Sequence, residues 1–191
     1  YKGSFECRID LKVPGRHNVD NALAAFAAAK VFEIDNKFIK EGLENYGGTD
    51  RRFQYKGNFN GITVIDDYAH HPTEVKATLS AAKNIEKNKL WCIFQPHTYS
   101  RTYNLLDEFS EAFDDADKIV VADIYAAREK DTGLINSSVL VERIKQRGGD
   151  AVYVGGFDEI KEYIRQNCSE GDLLITMGAG DVYLIGEDLV K

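Results

Sequence analysis

Apolar and polar residues follow a strand period or a helix period over most of this chain. Residues 4–11 alternate apolar and polar side chains, which predicts a half-buried strand. From Asn18, apolar residues recur every three or four positions, which predicts an amphipathic helix that packs closely through its alanines. A second, shorter helix is predicted over residues 35–45, with Asp35 as its N-cap and the pair Gly47-Gly48 at its end.

Beyond this glycine pair, strands and helices alternate with short connections. Strands are predicted over residues 53–59, 62–66, 90–94, 118–124, 151–154 and 172–177, and helices over residues 72–84, 105–113, 137–147, 158–167 and 181–190. Several strands are continuous apolar runs, such as residues 119–122, and such runs are typical of strands covered on both faces. The predicted fold class is therefore α/β, with an open, doubly wound, mostly parallel, Rossmann-like sheet and helices on both faces.

The glycine pair also marks the predicted domain boundary, which separates residues 1–49 from a complete domain over residues 50–191. The chain starts at Tyr1 and its only methionine is Met177, so we expect it to be a piece of a longer protein. It contains no G-x-x-x-x-G-K-S/T loop. If the longer protein uses ATP, the loop that cradles the phosphates therefore lies outside this chain.

Composition narrows the classes of partner. The 24 basic and 31 acidic residues give a formal net charge of −7, which argues against general binding to nucleic acid or to an anionic membrane. No apolar run approaches the roughly 20 residues that a membrane span needs. The three cysteines, Cys7, Cys92 and Cys168, are far apart and have no metal-ligand spacing. We therefore expect a reducing compartment, the cytoplasm.

Conspicuous polar groups follow four of the predicted strands. They lie in residues 66–72, 95–101, 123–130 and 178–181, whereas the connections at the opposite ends of the strands are bland. Because ligands of open parallel sheets bind beyond the carboxyl ends of the strands, this asymmetry predicts a site at that edge, with three of the four histidines.

Each of these groups also has a structural explanation. Five side chains within residues 66–74 could form a metal cluster: Asp66, Asp67, His70, His71, Glu74. Helix capping and substrate contact are the favoured roles for them, so no protein-held metal is predicted. Residues 178–180 form either a phosphate cradle or a simple tight turn. Arg101 suits a carboxylate or a phosphate, with a surface salt bridge as the alternative. Residues 128–131 are either part of the site or a solvated charge cluster.

Four motifs together resemble the Mur ligase family over essentially the whole chain. They are residues 14–25 (PGRHNVDNALAA), 51–53 (RRF), 66–74 (DDYAHHPTE) and 94–102 (FQPHTYSRT), in the family's order and spacing. The resemblance implies that residues 1–49 end a central ATP-binding domain and that residues 50–191 are the C-terminal domain. Within the family, the motifs look most like those of the member that adds L-alanine to UDP-N-acetylmuramate through an acyl phosphate, in the cytoplasmic synthesis of bacterial peptidoglycan precursors.

The resemblance also implies roles for individual residues. His17, Asn18 and Asn21 would contact the adenine of ATP, Arg52 its phosphates and Asp67 its ribose hydroxyls. On the L-alanine side, Arg101 would bind the carboxylate, with His70 and His97 near the amine. Some members carry a second arginine at the position of Thr98, so a clamp of two arginines is not assumed.

The implied ligands are ATP with Mg²⁺, L-alanine and UDP-N-acetylmuramate, with neither nucleic acid nor membrane as a partner. The Mg²⁺ ligands are expected mainly outside this chain, and no complete catalytic set is expected within it. Closure of the C-terminal domain over the nucleotide would assemble the site. The chain alone is therefore predicted to be inactive.

Two alternatives stay open. One is the related recycling ligase, which attaches a whole tripeptide to UDP-N-acetylmuramate; residues 95–101 favour the alanine-adding enzyme over it. The other is a non-catalytic module that binds a nucleotide or an amino acid.

Overall fold

Six strands and eight helices are described in residues 5–191 of the computed structural model, and the chain divides into two units between Asp50 and Arg51. The first unit contains helices α1 (Arg16–Val31) and α2 (Asn36–Asn45). Asp35 caps α2, as predicted, because its carboxylate accepts the Lys37 N–H at 2.8 Å.

The strand predicted over residues 4–11 is wrong for residues 5–11, which are irregular; Ser4 lies outside the described residues. Alternation predicts which side chains are buried, but a strand also needs a hydrogen-bonded neighbour, and none of the described residues supplies one to this segment. Its backbone bonds instead to side chains of α2. Asp10 donates its N–H to Glu44 at 3.0 Å, and Lys40 donates to the Arg8 carbonyl at 2.7 Å.

The second unit is a six-stranded sheet with helices on both faces. Its strands are β1 (Gln54–Phe59), β2 (Ile62–Asp67), β3 (Leu90–Phe94), β4 (Lys118–Ala122), β5 (Ala151–Gly155) and β6 (Leu173–Met177). Its helices are α3 (Pro72–Lys83), α4 (Tyr99–Asn104), α5 (Leu106–Glu111), α6 (Ser137–Gln146), α7 (Phe157–Asn167) and α8 (Tyr183–Leu189). This architecture confirms the predicted fold class.

The strand order is β1-β2-β6-β3-β4-β5. Only β1 is antiparallel, joined to β2 through a turn in which Asn60 and Gly61 both have positive φ, at 49° and 80°. The other five strands are parallel, so their carboxyl ends share one edge. The last strand of the chain, β6, lies between β2 and β3.

Alternate residues of the buried strands feed two core layers. In β3, Leu90, Cys92 and Phe94 face one layer, which also contains residues of α3, α5 and α6. Trp91 and Ile93 face the other, with residues of α7 and α8. Continuous apolar runs are therefore needed, because each face of the strand is covered.

The helix predicted around residues 105–113 is only partly correct. The structure has two short helices, α4 and α5, which meet at Leu105, and Arg101 lies inside α4 rather than before a helix. Within residues 5–191, no helix is both long enough and apolar enough to cross a membrane.

Candidate functional site

Three neighbouring strands are tied together where they end. The Gly178 N–H after β6 donates to the Asp67 carbonyl at 3.1 Å, and the Gln95 N–H after β3 donates to the Met177 carbonyl at 2.9 Å. These ladder bonds hold the segments after β2, β6 and β3 side by side. The polar residues that the sequence places after these strands are therefore on one rim of the sheet.

Arg51 lies at the centre of this rim. Its guanidinium donates to the buried Asp66 carboxylate at 3.0 Å and to the Gly178 carbonyl at 2.7 Å. It also lies over the rings of Tyr68 and Tyr183, at 4.9 and 4.5 Å from their centroids. Asp66 in turn accepts the Thr176 hydroxyl at 2.7 Å. Arg51 therefore links the start of the unit to the ends of β2 and β6.

The Asp67 carboxylate binds two backbone N–H groups of neighbouring segments. Its two carboxylate oxygens accept the N–H groups of Phe53 and Ala69, each at 2.8 Å, and the residue is only 5% exposed. Burial raises the pKa of its carboxyl group, and the two backbone hydrogen bonds oppose this rise. A hydrogen bond from a ribose hydroxyl would be the third that this carboxylate accepts, in addition to the two from backbone N–H groups.

His71 and Glu74 cap helix α3, which is the capping interpretation favoured from sequence. His71 Nδ1 accepts the Thr73 N–H at 3.3 Å, while Glu74 accepts the N–H of His71 at 3.2 Å and that of His70 at 3.1 Å. Desolvation by burial is the largest single influence on the pKa of Glu74, and it acts to raise it. The two backbone hydrogen bonds and the charges of His70 and Arg52 together outweigh it, so the pKa lies below its usual value.

Arg52 is placed differently from its neighbour Arg51. Its side chain is half exposed and lies 3.9 Å from the Glu74 carboxylate and 5.6 Å from the centroid of the Tyr68 ring. Arg51 is thus held inside the rim, whereas Arg52 keeps guanidinium N–H groups available to an anion from solvent.

Two histidines and Arg101 form a contiguous group. The rings of His70 and His97 are edge to face, with centroids 5.7 Å apart, and Arg101 lies 3.4 Å from His97 Nδ1. His70 Nδ1 lies 2.9 Å from the Tyr68 carbonyl. Because a carbonyl only accepts, a neutral His70 ring carries its proton on Nδ1 and leaves Nε2 as an acceptor.

His97 has the opposite arrangement. A guanidinium only donates, so in the neutral ring Nδ1 accepts from Arg101 and Nε2 carries the proton. Burial lowers the pKa of His97, and the positive charges of Arg101 and His70 lower it further, while Glu129 opposes them. Within residues 5–191 no ion pair involves Arg101, so the salt-bridge alternative finds no support there.

The segment after β4 supports this group from the side. Tyr125 donates its N–H to the Pro96 carbonyl at 2.8 Å and accepts the Thr98 N–H at 2.9 Å, while its ring stacks on His97. Gly180 packs here as well: a Cβ on it would lie 2.4 Å from Gln95 Oε1 and 2.8 Å from the Tyr125 ring. Residues 178–180 therefore form a tightly packed turn, which favours that interpretation over a phosphate cradle.

Backbone strain concentrates at the same rim. Of the six non-glycine residues with positive φ within residues 5–191, four lie here, namely Arg51 (59°), Phe53 (49°), Thr98 (68°) and Ala127 (53°). Such conformations persist where surrounding contacts fix them, and they are frequent at functional sites.

The predicted residues fall into two groups. Arg52, Asp67, His70, His97 and Arg101 all lie on the rim of the second unit. The other three are on α1, in the first unit: His17, Asn18, Asn21. There, Asn18 Oδ1 accepts from the Asn21 amide at 3.5 Å, and both residues line a groove of about 380 Å³.

Sequence reasoning missed the roles of Arg51, Tyr125 and Glu129. Arg51 stood next to the predicted Arg52 without a signal to separate them. Tyr125 and Glu129 lay in a segment already noted for polar residues, but their partners are 27 to 29 residues away in the chain. Within residues 5–191, no group of three or more His, Cys, Asp or Glu side chains could hold a metal ion.

A family model described as "Mur ligase, glutamate ligase domain" matches residues 51–180. The chain belongs to the Mur ligase family. The Mur ligase match includes the rim segments after β2, β3 and β4 and residues 178–180 after β6.

Curated relatives match beyond these residues. UDP-N-acetylmuramate–L-alanine ligase of Lachnospira eligens is 57% identical over 96% of this chain and 40% of its own length. The ligase of the same name from Acetivibrio thermocellus is 56% identical over 96% of this chain and 39% of its own length. This Mur ligase chain thus spans about 40% of the length of the curated relatives that it matches.

Solved structures of Mur ligases superpose on the same residues. UDP-N-acetylmuramate-alanine ligase MurC of Thermotoga maritima has a TM-score of 0.82 and 32% identity, over 98% of this chain and 40% of that one. A murein peptide ligase of Psychrobacter arcticus has a TM-score of 0.71 and 28% identity, over 99% of this chain and 40% of that one.

Proposed function

We propose that this chain is the C-terminal part of an ATP-dependent ligase that joins L-alanine to UDP-N-acetylmuramate in the bacterial cytoplasm, a step in making peptidoglycan precursors. The observation that carries the proposal is the 57% identity, over 96% of the chain, to a relative named for that activity. In this proposal residues 1–49 end the central ATP-binding domain and residues 50–191 are the C-terminal domain.

The chemistry of the rim supports an α-amino acid as its ligand. Arg101 offers a planar guanidinium, which suits a carboxylate, and neutral His97 offers an Nε2–H donor beside it. His70 offers the acceptor Nε2, which suits a hydrogen of an amine. An amine attacks only when it is deprotonated, and the lowered pKa of His97 limits the positive charge beside such an amine.

For the nucleotide, we propose that Arg52 binds phosphate oxygens, since its guanidinium is half exposed and only loosely paired. His17, Asn18 and Asn21 are proposed for the adenine, whose hydrogen-bonding edge amide side chains can read. The ribose contact of Asp67 remains a prediction, alongside its established hold on two backbone N–H groups.

The reaction asks mainly for positioning and charge stabilisation from these residues. In the proposal, Arg101 orients the amino acid by its carboxylate, and Arg52 offsets negative charge on the phosphates. Mg²⁺ chemistry would neutralise further charge, but the described residues contain no cluster to hold the ion, so no ligand in this chain is assigned to it.

The tripeptide-recycling ligase is the alternative substrate assignment. The murein peptide ligase structure has a lower identity and a lower TM-score than the alanine ligase structure, 28% against 32% and 0.71 against 0.82. Both comparisons favour L-alanine.

The test uses the full-length ligase of which this chain is proposed to be a part, with phosphate release as the assay. We expect L-alanine to be used in preference to a tripeptide. Replacing Arg101 with alanine should raise the KM for L-alanine about 100-fold and leave the KM for ATP within about twofold, because a charge-assisted pair is lost on one substrate only.

Arg165→Ala, at an exposed position of α7, is the matched control and should change neither KM. Equal effects of Arg101→Ala on both substrates would remove Arg101 from the amino-acid site. Preference for the tripeptide would contradict the assignment of L-alanine. The present chain alone should release no phosphate.

A further inference from the structure

We propose that Glu129 is a positioning residue, which fixes the start of helix α4 through Ser100 and thereby holds Arg101 and His97 in place for the amino acid. The inference rests on the proposed function, since it assigns a means of recognition to the same rim. It concerns a residue of the segment 123–130, after β4, for which the sequence predicts no individual role.

Both carboxylate oxygens of Glu129 bind Ser100. One carboxylate oxygen accepts the Ser100 N–H at 2.8 Å, and the other accepts the Ser100 hydroxyl. One carboxylate thus binds both donors of Ser100, whose N–H lies in the first turn of α4 and has no partner within the helix.

These donors hold the carboxylate in its ionised form. They keep the pKa of Glu129 below its usual value, with the Ser100 hydroxyl as the largest cause and the Ser100 N–H next. The contact is therefore a set of charge-assisted hydrogen bonds at neutral pH, which are stronger than those between neutral groups.

Strained backbone flanks the contact on both sides. Thr98, a β-branched residue, has φ of 68° immediately before α4, and Ala127 has φ of 53° two residues before Glu129. A β-branched side chain in this region is costly, so its neighbours must impose it. Glu129 supplies part of that constraint, because it binds Ser100, two residues after Thr98.

The position of the Arg101 side chain depends on this turn. The Arg101 N–H lies 3.4 Å from the Thr98 hydroxyl, and its guanidinium reaches back to His97. A shift of the turn at Thr98 would therefore move Arg101 and His97 together. Neither Ser100 nor Glu129 belongs to the buried core, so their contact can be removed while the core layers stay packed.

The test uses the full-length ligase with Glu129→Gln and Ser100→Ala, singly and combined. Each single change should raise the KM for L-alanine about tenfold, since one charge-assisted contact is lost. The KM for ATP, kcat and the thermal midpoint should stay near those of the wild type. The double variant should be no worse than the poorer single variant, because both changes break the same contact.

Two further variants complete the design. Ser100→Thr keeps both donors and should retain the wild-type KM for L-alanine. Glu142→Gln, at an exposed glutamate of α6, is the matched control and should behave as the wild type. An unchanged alanine KM in Glu129→Gln would overturn the inference, as would a fall of kcat, both KM values and the thermal midpoint together, which indicates a merely structural role.

The two proposals fail in different places. If the proposed function is wrong, the wild-type ligase itself shows no alanine-dependent phosphate release. If only the role of Glu129 is wrong, the wild type uses L-alanine normally, and the variants at residues 100 and 129 either do so too or change in kcat, both KM values and the thermal midpoint together.

Discussion

Replacing Arg51 with alanine removes the charged partner of a fully buried carboxylate. Asp66 has no exposed surface, and once the guanidinium is gone it retains the hydrogen bond from the Thr176 hydroxyl but no opposite charge. The Gly178 carbonyl loses its donor from Arg51, and two tyrosine rings lose a cation above them. Arg51→Ala is therefore expected to weaken the second unit substantially.

The structure sets the size of the effect. Removing one partner of a buried ion pair costs about 3–5 kcal/mol. The Arg51 side chain is 22% exposed, so water partly screens the pair and the lower end of that range applies. We expect a loss of about 3 kcal/mol in the free energy of unfolding, or about 10 °C in the thermal midpoint for a unit of this size.

The natural probe is Trp91, the only tryptophan of the chain. It is a residue of β3, is 2% exposed, and packs in the core layer of α7 and α8. Its fluorescence in a urea titration reports the second unit specifically. Arg52→Ala, the adjacent and half-exposed position, is the control and should stay within about 0.5 kcal/mol of the wild type. The reasoning is refuted if Arg51→Ala, at an unchanged urea slope, lies within about 1 kcal/mol of the wild type.

Two other predictions concern the same rim. Because its pKa is lowered, His97 should titrate below 6.5 in NMR spectra, and the chain should lose some stability as the pH falls through 6.5, since the unfolded chain binds that proton more tightly. Arg101→Gln should raise this midpoint but leave it below 6.5, because burial is the larger cause; a wild-type midpoint at or above 6.5 would contradict the assignment. Gly180→Ala should cost about 1–3 kcal/mol by calorimetry, because its Cβ would overlap Gln95 and Tyr125. Gly42→Ala, with no atom within 4 Å, should not lower stability, and equal behaviour of the two variants would show that the contact is relaxed at no cost.

Local signals made much of the fold predictable. Asp35 caps α2 through its own side chain, His71 and Glu74 cap α3 within four residues, and Asn60-Gly61 dictates a hairpin turn. In each case the residues that decide the structure are neighbours in sequence. The strand and helix alternation of the second unit was predictable for the same reason.

Long-range contacts explain what was missed. Helix α4 begins where Glu129 binds Ser100, from 29 residues further along the chain. The sequence of residues 95–105 gives no indication of this contact. Arg51 and Arg52 are identical in type, and only the folded sheet separates the one bound to Asp66 from the one left half exposed. Residues 5–11 alternate as a strand does, yet no neighbour among the described residues pairs with them.

The position of β6 has a consequence for biosynthesis. β2 and β3 do not pair with each other, and both meet β6, which is made long after them. A nascent chain that has reached α7 therefore carries two unpaired strand edges at the middle of its future sheet, which is a hazard for aggregation. Only translation past Met177 supplies the strand that closes this gap, so the sheet of the second unit cannot form completely until β6 has been made.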